Sequence, residues 1–201
     1  TSKTEAESAV KALAQIWLTA IAAMTAENLF LTQGMGFSRI IHSTRRGKSI
    51  GLYACAVTFF SLVVSLSVQG IWSFLPANVA LWMPLIAAAV TCLWYLVACL
   101  ILATGMKKLY QKISWCLAPA AINSVVLSLP FIARVKEWSA AQLTGASLGT
   151  GVAFLVTAWL IADAIPRLRH ISMPASFRGA PALFLYVALL ALAFLGFVPQ
   201  I

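Results

Sequence analysis

Charge is what this chain has least of. Only 9% of its 201 residues are Asp, Glu, Lys or Arg, where an ordinary soluble domain carries about 25%. Five residues are acidic. So few charges cannot cover a water-facing surface, and 62% of the residues are hydrophobic, with a mean hydropathy of +0.94. A soluble globular protein is excluded, and an integral membrane protein is required. The cysteines are also few. Cys55, Cys92, Cys99 and Cys116 all lie in apolar runs, with Cys92 and Cys99 on one helix face. There is no C-x-x-C pair and no grouping of Cys with His, which argues against a disulfide framework or a zinc site and leaves buried thiols. A nucleophile–base–orienter set, a phosphate loop and a metal-spaced cluster are likewise missing, so nothing points to self-contained catalysis.

Basic residues are the charges the chain does have, fourteen of them, for a net charge of +9. They fall in short clusters between apolar runs, which is the pattern of membrane topology rather than of nucleic-acid binding. Six segments of about the 20 residues needed to span hydrocarbon can be read: about Ala9–Leu31, Ile50–Phe74, Val79–Thr104, Ser114–Ala133, Ala141–Ile165 and Ala180–Val198. The expected fold is all-α, one transmembrane domain over 1–201. The chain opens on Thr1 rather than Met, so no signal peptide is read into residues 1–8. The stretches near 35–49 (Arg39, His42, Arg45, Arg46, Lys48), 105–113 (Lys107, Lys108, Lys112) and 166–179 (Arg167, Arg169, His170, Arg178) are basic. The turn Leu75–Asn78 is uncharged, and Arg134 and Lys136 are offset by Glu137. The three basic stretches are therefore expected on the cytoplasmic side, with both termini outside. Three spans on either side of 105–113 suggest an inverted repeat, with halves about 9–104 and 114–201. Trp72, Trp82 and Trp138 stand near span ends as interface anchors do. Gly145, Gly149 and Gly151 mark a close helix–helix approach.

The segment Met24–Ser38 departs from this pattern. Glu27 is the only acid set deep in an apolar segment, and Asn28, Thr32, Gln33, Gly34 and Gly36 follow it. A charge and a broken helix both cost free energy inside a bilayer. Either Glu27 binds a cation or carries a proton, with Asn28, Thr32 and Gln33 as further oxygen ligands, or it sits near the cytoplasmic end and reaches water or an arginine. The fourth segment holds a quieter counterpart, Asn123 and Ser124 between Pro119 and Pro130. These either face Thr32 across a pseudo-symmetry axis or hydrogen-bond between helices. Spans one and four are thus the two interrupted ones. Asp163, one turn from Arg167, reads as an interfacial ion pair.

The run Met173–Gly179, followed by an apolar helix ending Ala193–Phe197, resembles the end of the Rnf/Nqr membrane subunits, in the RnfA/NqrE-like branch. Thr32–Ser38 and Ala118–Ser124 sit where that family has its two signature segments, and the likeness covers about Glu27 to Ile201. It implies a membrane component of a redox-driven ion-translocating electron transport complex in the bacterial inner membrane. It also implies a paralogous six-helix partner, other complex subunits, and Na+ or H+ as the ion. Phe177, Arg178 and Gly179 would form a helix entry, with Arg178 anchored at headgroups or against a partner. In the family each signature segment carries a cysteine for a shared 2Fe–2S cluster. Here an ungapped comparison puts Thr32 and Ser124 at those positions. Iron–sulfur clusters need thiolates, and Cys116 lies eight residues before Ser124, about 12 Å along a helix. The expectation is a relative without the cluster and with no cofactor of its own, serving ion passage or assembly rather than electron transfer. The alternatives are a stand-alone inverted-repeat transporter or channel and a purely structural membrane subunit.

Overall fold

The computed structural model describes residues 2–25, 27–36, 40–41, 50–75, 81–170, 174 and 176–196. Arg39, His42, Arg45, Arg46, Lys48, Asn78, Met173 and Phe197 lie outside them. Among the described residues there are seven helices and no strands: α1 Ser2–Met24, α2 Ile50–Phe74, α3 Met83–Gly105, α4 Lys107–Ala121, α5 Ser124–Val135, α6 Ala140–Arg167 and α7 Ala180–Leu195. By length and apolarity α2, α3 and α6 can each cross a membrane, and α4 with α5, bent by 46° at their junction, make a fourth, broken crossing. α7 is apolar but shorter, and α1 begins within the polar residues expected to lie outside the first span. Residues 107–113, expected as a basic loop, instead form the first turns of α4, and Pro166 and Arg167 belong to the last turn of α6. The clustered lysines marked a polar surface correctly. A run of Lys, Leu, Tyr and Gln favours helix all the same, and the chain breaks only at Met106.

α6 is the central post. Ser139 starts it with a capping box: its Oγ accepts from the Gln142 N–H, and Gln142 returns an oxygen to the Ser139 N–H at 2.9 Å. One face then meets α1 through small residues. A Cβ at Gly145 would lie 2.3 Å from the Ile16 carbonyl oxygen, and one at Gly149 would lie 2.4 Å from that of Ala20. The two sets of numbers rise together, so α1 and α6 run parallel. The other face meets α2, where Tyr53, Val57, Phe60, Val64 and Val68 recur at helical spacing and are buried. Phe154 of α6 is fully buried between the rings of Phe30, at 5.4 Å edge-on, and Tyr53, at 5.0 Å. α7 lies at the edge of this core, resting Leu183 and Val187 against it, with Ala182 its one buried residue.

The contact between α1 and α6 leaves no room for a methyl group. Gly149→Ala should lower unfolding free energy by about 1–3 kcal/mol through overpacking. Gly70→Ala, in open space on α2, should be neutral or raise stability by up to about 1 kcal/mol. Denaturant titration in mixed micelles checks both, and a Gly149→Ala protein as stable as its parent would contradict the contact.

Candidate functional site

The first break follows α1. The Glu27 N–H reaches back five residues to the Ala22 carbonyl at 2.8 Å, so the helix widens and ends. Asn28 then starts a new turn. Its side-chain oxygen accepts from the Phe30 and Leu31 N–H groups at 3.2 and 3.3 Å, and its carbonyl accepts from the Thr32 N–H at 2.8 Å and the Thr32 hydroxyl at 2.7 Å. Its amide nitrogen donates to Met24 O and to Thr157 Oγ1 on α6, the latter at 3.5 Å. Asn28 is fully buried, with its polar atoms occupied in holding the break. These hydrogen bonds tie Asn28 to the backbone on both sides of the break and to α6.

The second break is built the same way. α4 ends at Ala121, and Asn123 accepts from the Val125 N–H to cap α5. The break falls between the two prolines that suggested it; Pro119 and Pro130 themselves lie inside helices. Ending α4 here frees the Pro119 carbonyl, which accepts from the Tyr53 hydroxyl at 2.8 Å.

The segments around Gly36 and Ser124 touch, and of the two alternatives for Ser124 it is a hydrogen bond between segments that is present. Ser124 Oγ accepts from the Gly36 N–H at 2.8 Å, and the Ser128 hydroxyl lies 3.1 Å from the Met35 sulfur. Gly36 has φ +68°, and a Cβ there would stand 2.7 Å from Asn123 Oδ1. Gly34, at φ +65°, supplies the other left-handed turn. Thr32 makes no hydrogen bond to Ser124. Its hydroxyl is committed to Asn28.

Glu27 points away from this junction into a cavity of about 300 Å³, whose lining includes Thr32, Gln33, Lys136, Thr150 and Leu195. Among the described residues its partner is Lys136, at the end of α5, 109 positions away. That segment is the one the charge pattern places opposite the basic stretches. The Lys136 ammonium also lies 5.4 Å from the centre of the Trp138 ring. The side chains of Lys136 and Glu27 are 41% and 36% exposed, so their attraction is screened and worth about 0.2–1 kcal/mol. Thr150 donates its hydroxyl proton to Ala146 O at 2.8 Å. Lys136 and Thr150 escaped the sequence reading. Lys136 looked like part of a loop and Thr150 like part of a glycine stripe.

Beyond Trp138 is a second cavity of about 370 Å³, with Gln69, Trp72, Arg134 and Glu137 in its wall. Gln69 donates to the Trp138 carbonyl at 2.9 Å. Asp163 pairs with Arg167 at 2.9 Å, as expected for an interfacial acid. Gly179, at φ +91°, precedes α7, with Phe177 and Arg178 in the exposed turn before it. The Phe-Arg-Gly run thus lies immediately before α7.

A profile of the Rnf-Nqr membrane protein family matches residues 16–199. The chain belongs to the Rnf-Nqr membrane subunit family. Over 75 residues it is 37% identical to a component of the ion-translocating oxidoreductase complex of Rhodobacter capsulatus, covering 37% of this chain and 39% of that protein. Over 89 residues it is 36% identical to the corresponding component from Syntrophotalea carbinolica, covering 44% and 46%. The chain thus matches less than half the length of these curated relatives.

In this family member the asparagine at the first break is structural and Gln33 is peripheral. Asn28→Ala should therefore cost about 1–3 kcal/mol, the penalty for leaving buried peptide groups unpaired. Gln33→Ala, at an exposed position, should stay within about 0.5 kcal/mol of the parent. Unfolding midpoints in detergent distinguish them, and equal effects would contradict the assignment of Asn28 to the break.

Proposed function

We propose that this chain is a membrane component of an Rnf/Nqr-type redox-driven, ion-translocating complex, and that it serves ion passage or assembly rather than electron transfer. The observation that carries this reading is the Glu27 cavity. It is a carboxylate in a break of an apolar bundle, in a cavity lined by the Thr32 and Thr150 hydroxyls and balanced by one lysine. A charged group in such a place marks an ion path by default.

The side chains at the family's cluster positions do not suit an iron–sulfur cluster. Thr32 and Ser124 present hydroxyls, each already hydrogen-bonded to backbone, where iron requires thiolate. Cys116 is buried and its thiol donates to Ile113 O at 3.0 Å. No electron-transfer step is assigned to these residues. Six spans in an inverted repeat are supported by the two asparagine-capped breaks, one in each half, and by the parallel run of α1 and α6. In this arrangement the chain lies in the bacterial inner membrane, both termini outside, beside a paralogous six-helix partner and the other subunits of the complex. It passes Na+ or H+. A second reading, a stand-alone small transporter, rests on the acid, both hydroxyls and the lysine of the cavity all belonging to this chain.

Purification from native membranes in mild detergent tests the assignment. The expected result is co-purification with flavin- and iron–sulfur-bearing subunits and no stoichiometric iron on this chain. Stoichiometric iron on it would overturn the cluster-free reading, and a lone monomer or homodimer would favour the transporter. In either setting Glu27→Gln should reduce ion flux about tenfold or more, the scale of losing one charged group from an ion path. Undiminished flux would count against both.

A further inference from the structure

The two hydroxyls that line the Glu27 cavity share one property. Thr32 and Thr150 each have a single hydroxyl proton, and each gives it to a backbone carbonyl one turn back, at 2.7 and 2.8 Å. What these hydroxyls offer any further neighbour is therefore lone pairs. With the Glu27 carboxylate they make a set of oxygen acceptors, which suits a hard cation. A cation already sits there, the ammonium of Lys136.

We propose that Lys136 is a tethered competitor for the cation of this cavity: its ammonium occupies the Glu27 carboxylate, and a free monovalent cation binds only when Lys136 withdraws. The inference rests on the reading of the cavity as an ion site and adds its regulation. Three observations carry it. The pair is half-exposed and screened, so exchange is not blocked by desolvation. The withdrawn ammonium keeps a favourable place, because the face of Trp138 is already within 5.4 Å. The backbone that carries this ring is held in turn, since Gln69 donates to the Trp138 carbonyl from α2. A group on a short tether competes at an effective concentration of about millimolar or above, the range in which sodium is present around membranes. The position of the α5 end, which sets where Lys136 can reach, thereby sets the occupancy of the cavity.

The test is binding of radioactive sodium to the full chain in lipid nanodiscs, at fixed pH and with N-methylglucamine holding ionic strength constant. Lys136→Met should tighten the apparent sodium affinity about tenfold or more, since the tethered competitor is gone. Lys136→Gln guards against a folding defect and should behave likewise, whereas Lys136→Arg, which keeps the charge, should not tighten it. Glu27→Gln should abolish binding with or without Lys136. If Lys136→Met and Lys136→Gln bind no tighter than the parent while Glu27→Gln still loses sodium, the competitor role is overturned and the ion site stands. If Glu27→Gln binds as the parent does, the ion site itself falls. If neither lysine variant binds sodium at all, the proposal is overturned.

Discussion

Unpaired peptide groups inside an apolar bundle cost several kcal/mol each, and this chain breaks its helices there twice. Both breaks depend on an asparagine. Asn28 takes two N–H groups with its side-chain oxygen and anchors its amide on α1 and α6, and Asn123 caps α5. The carbonyl freed at Pro119 is taken by Tyr53, whose ring also supports Phe154 at the core. The cavity follows from these repairs. With Asn28 committed to backbone, the chain turns so that Glu27 faces outward from the break, toward the end of α5. Close packing of α1 on the glycines of α6 brings Thr150 to the same wall.

The large features were legible because they are local. Apolar length and helical spacing located α2, α3 and α6 to within a few residues, and Gly145, Gly149 and Gly151 announced the close contacts that the structure contains. Glu27 stood out because a lone acid in an apolar run has no local explanation. Other features were not legible because they arise from distant residues. Nothing near Lys136 in sequence says that it meets a carboxylate 109 positions away. Asn28 was open to reading as a further oxygen ligand of a cation at Glu27 because its type permits it. Only the path of the backbone shows that its hydrogen bonds are already used. The second break falls at Asn123 and Ser124, between the two prolines: Pro119 removes one N–H and α4 tolerates that, whereas Asn123 actively caps a new start.

Family membership and side-chain chemistry point in complementary directions. The segments carrying Gly36 and Ser124, where the resemblance places the family's signature stretches, meet through a hydrogen bond. The Ser124 hydroxyl makes that junction a hydrogen-bonded seam. The charged chemistry lies beside it, where Glu27 and Lys136 hold each other weakly. A weak pair suits passage better than a strong one, because an ion must be able to enter and leave.

The central claim is that the broken end of α1 forms a polar cavity that water and ions reach from the side on which α5 ends. Single cysteines placed at Thr32 and at Lys136, with exposed Cys55 and Cys92 changed to serine, can be challenged with a membrane-impermeant thiol reagent on each face of sealed vesicles. Both should react from the same face, and sodium should slow labelling at Thr32. Labelling of Thr32 from the opposite face, or from neither, would contradict the claim.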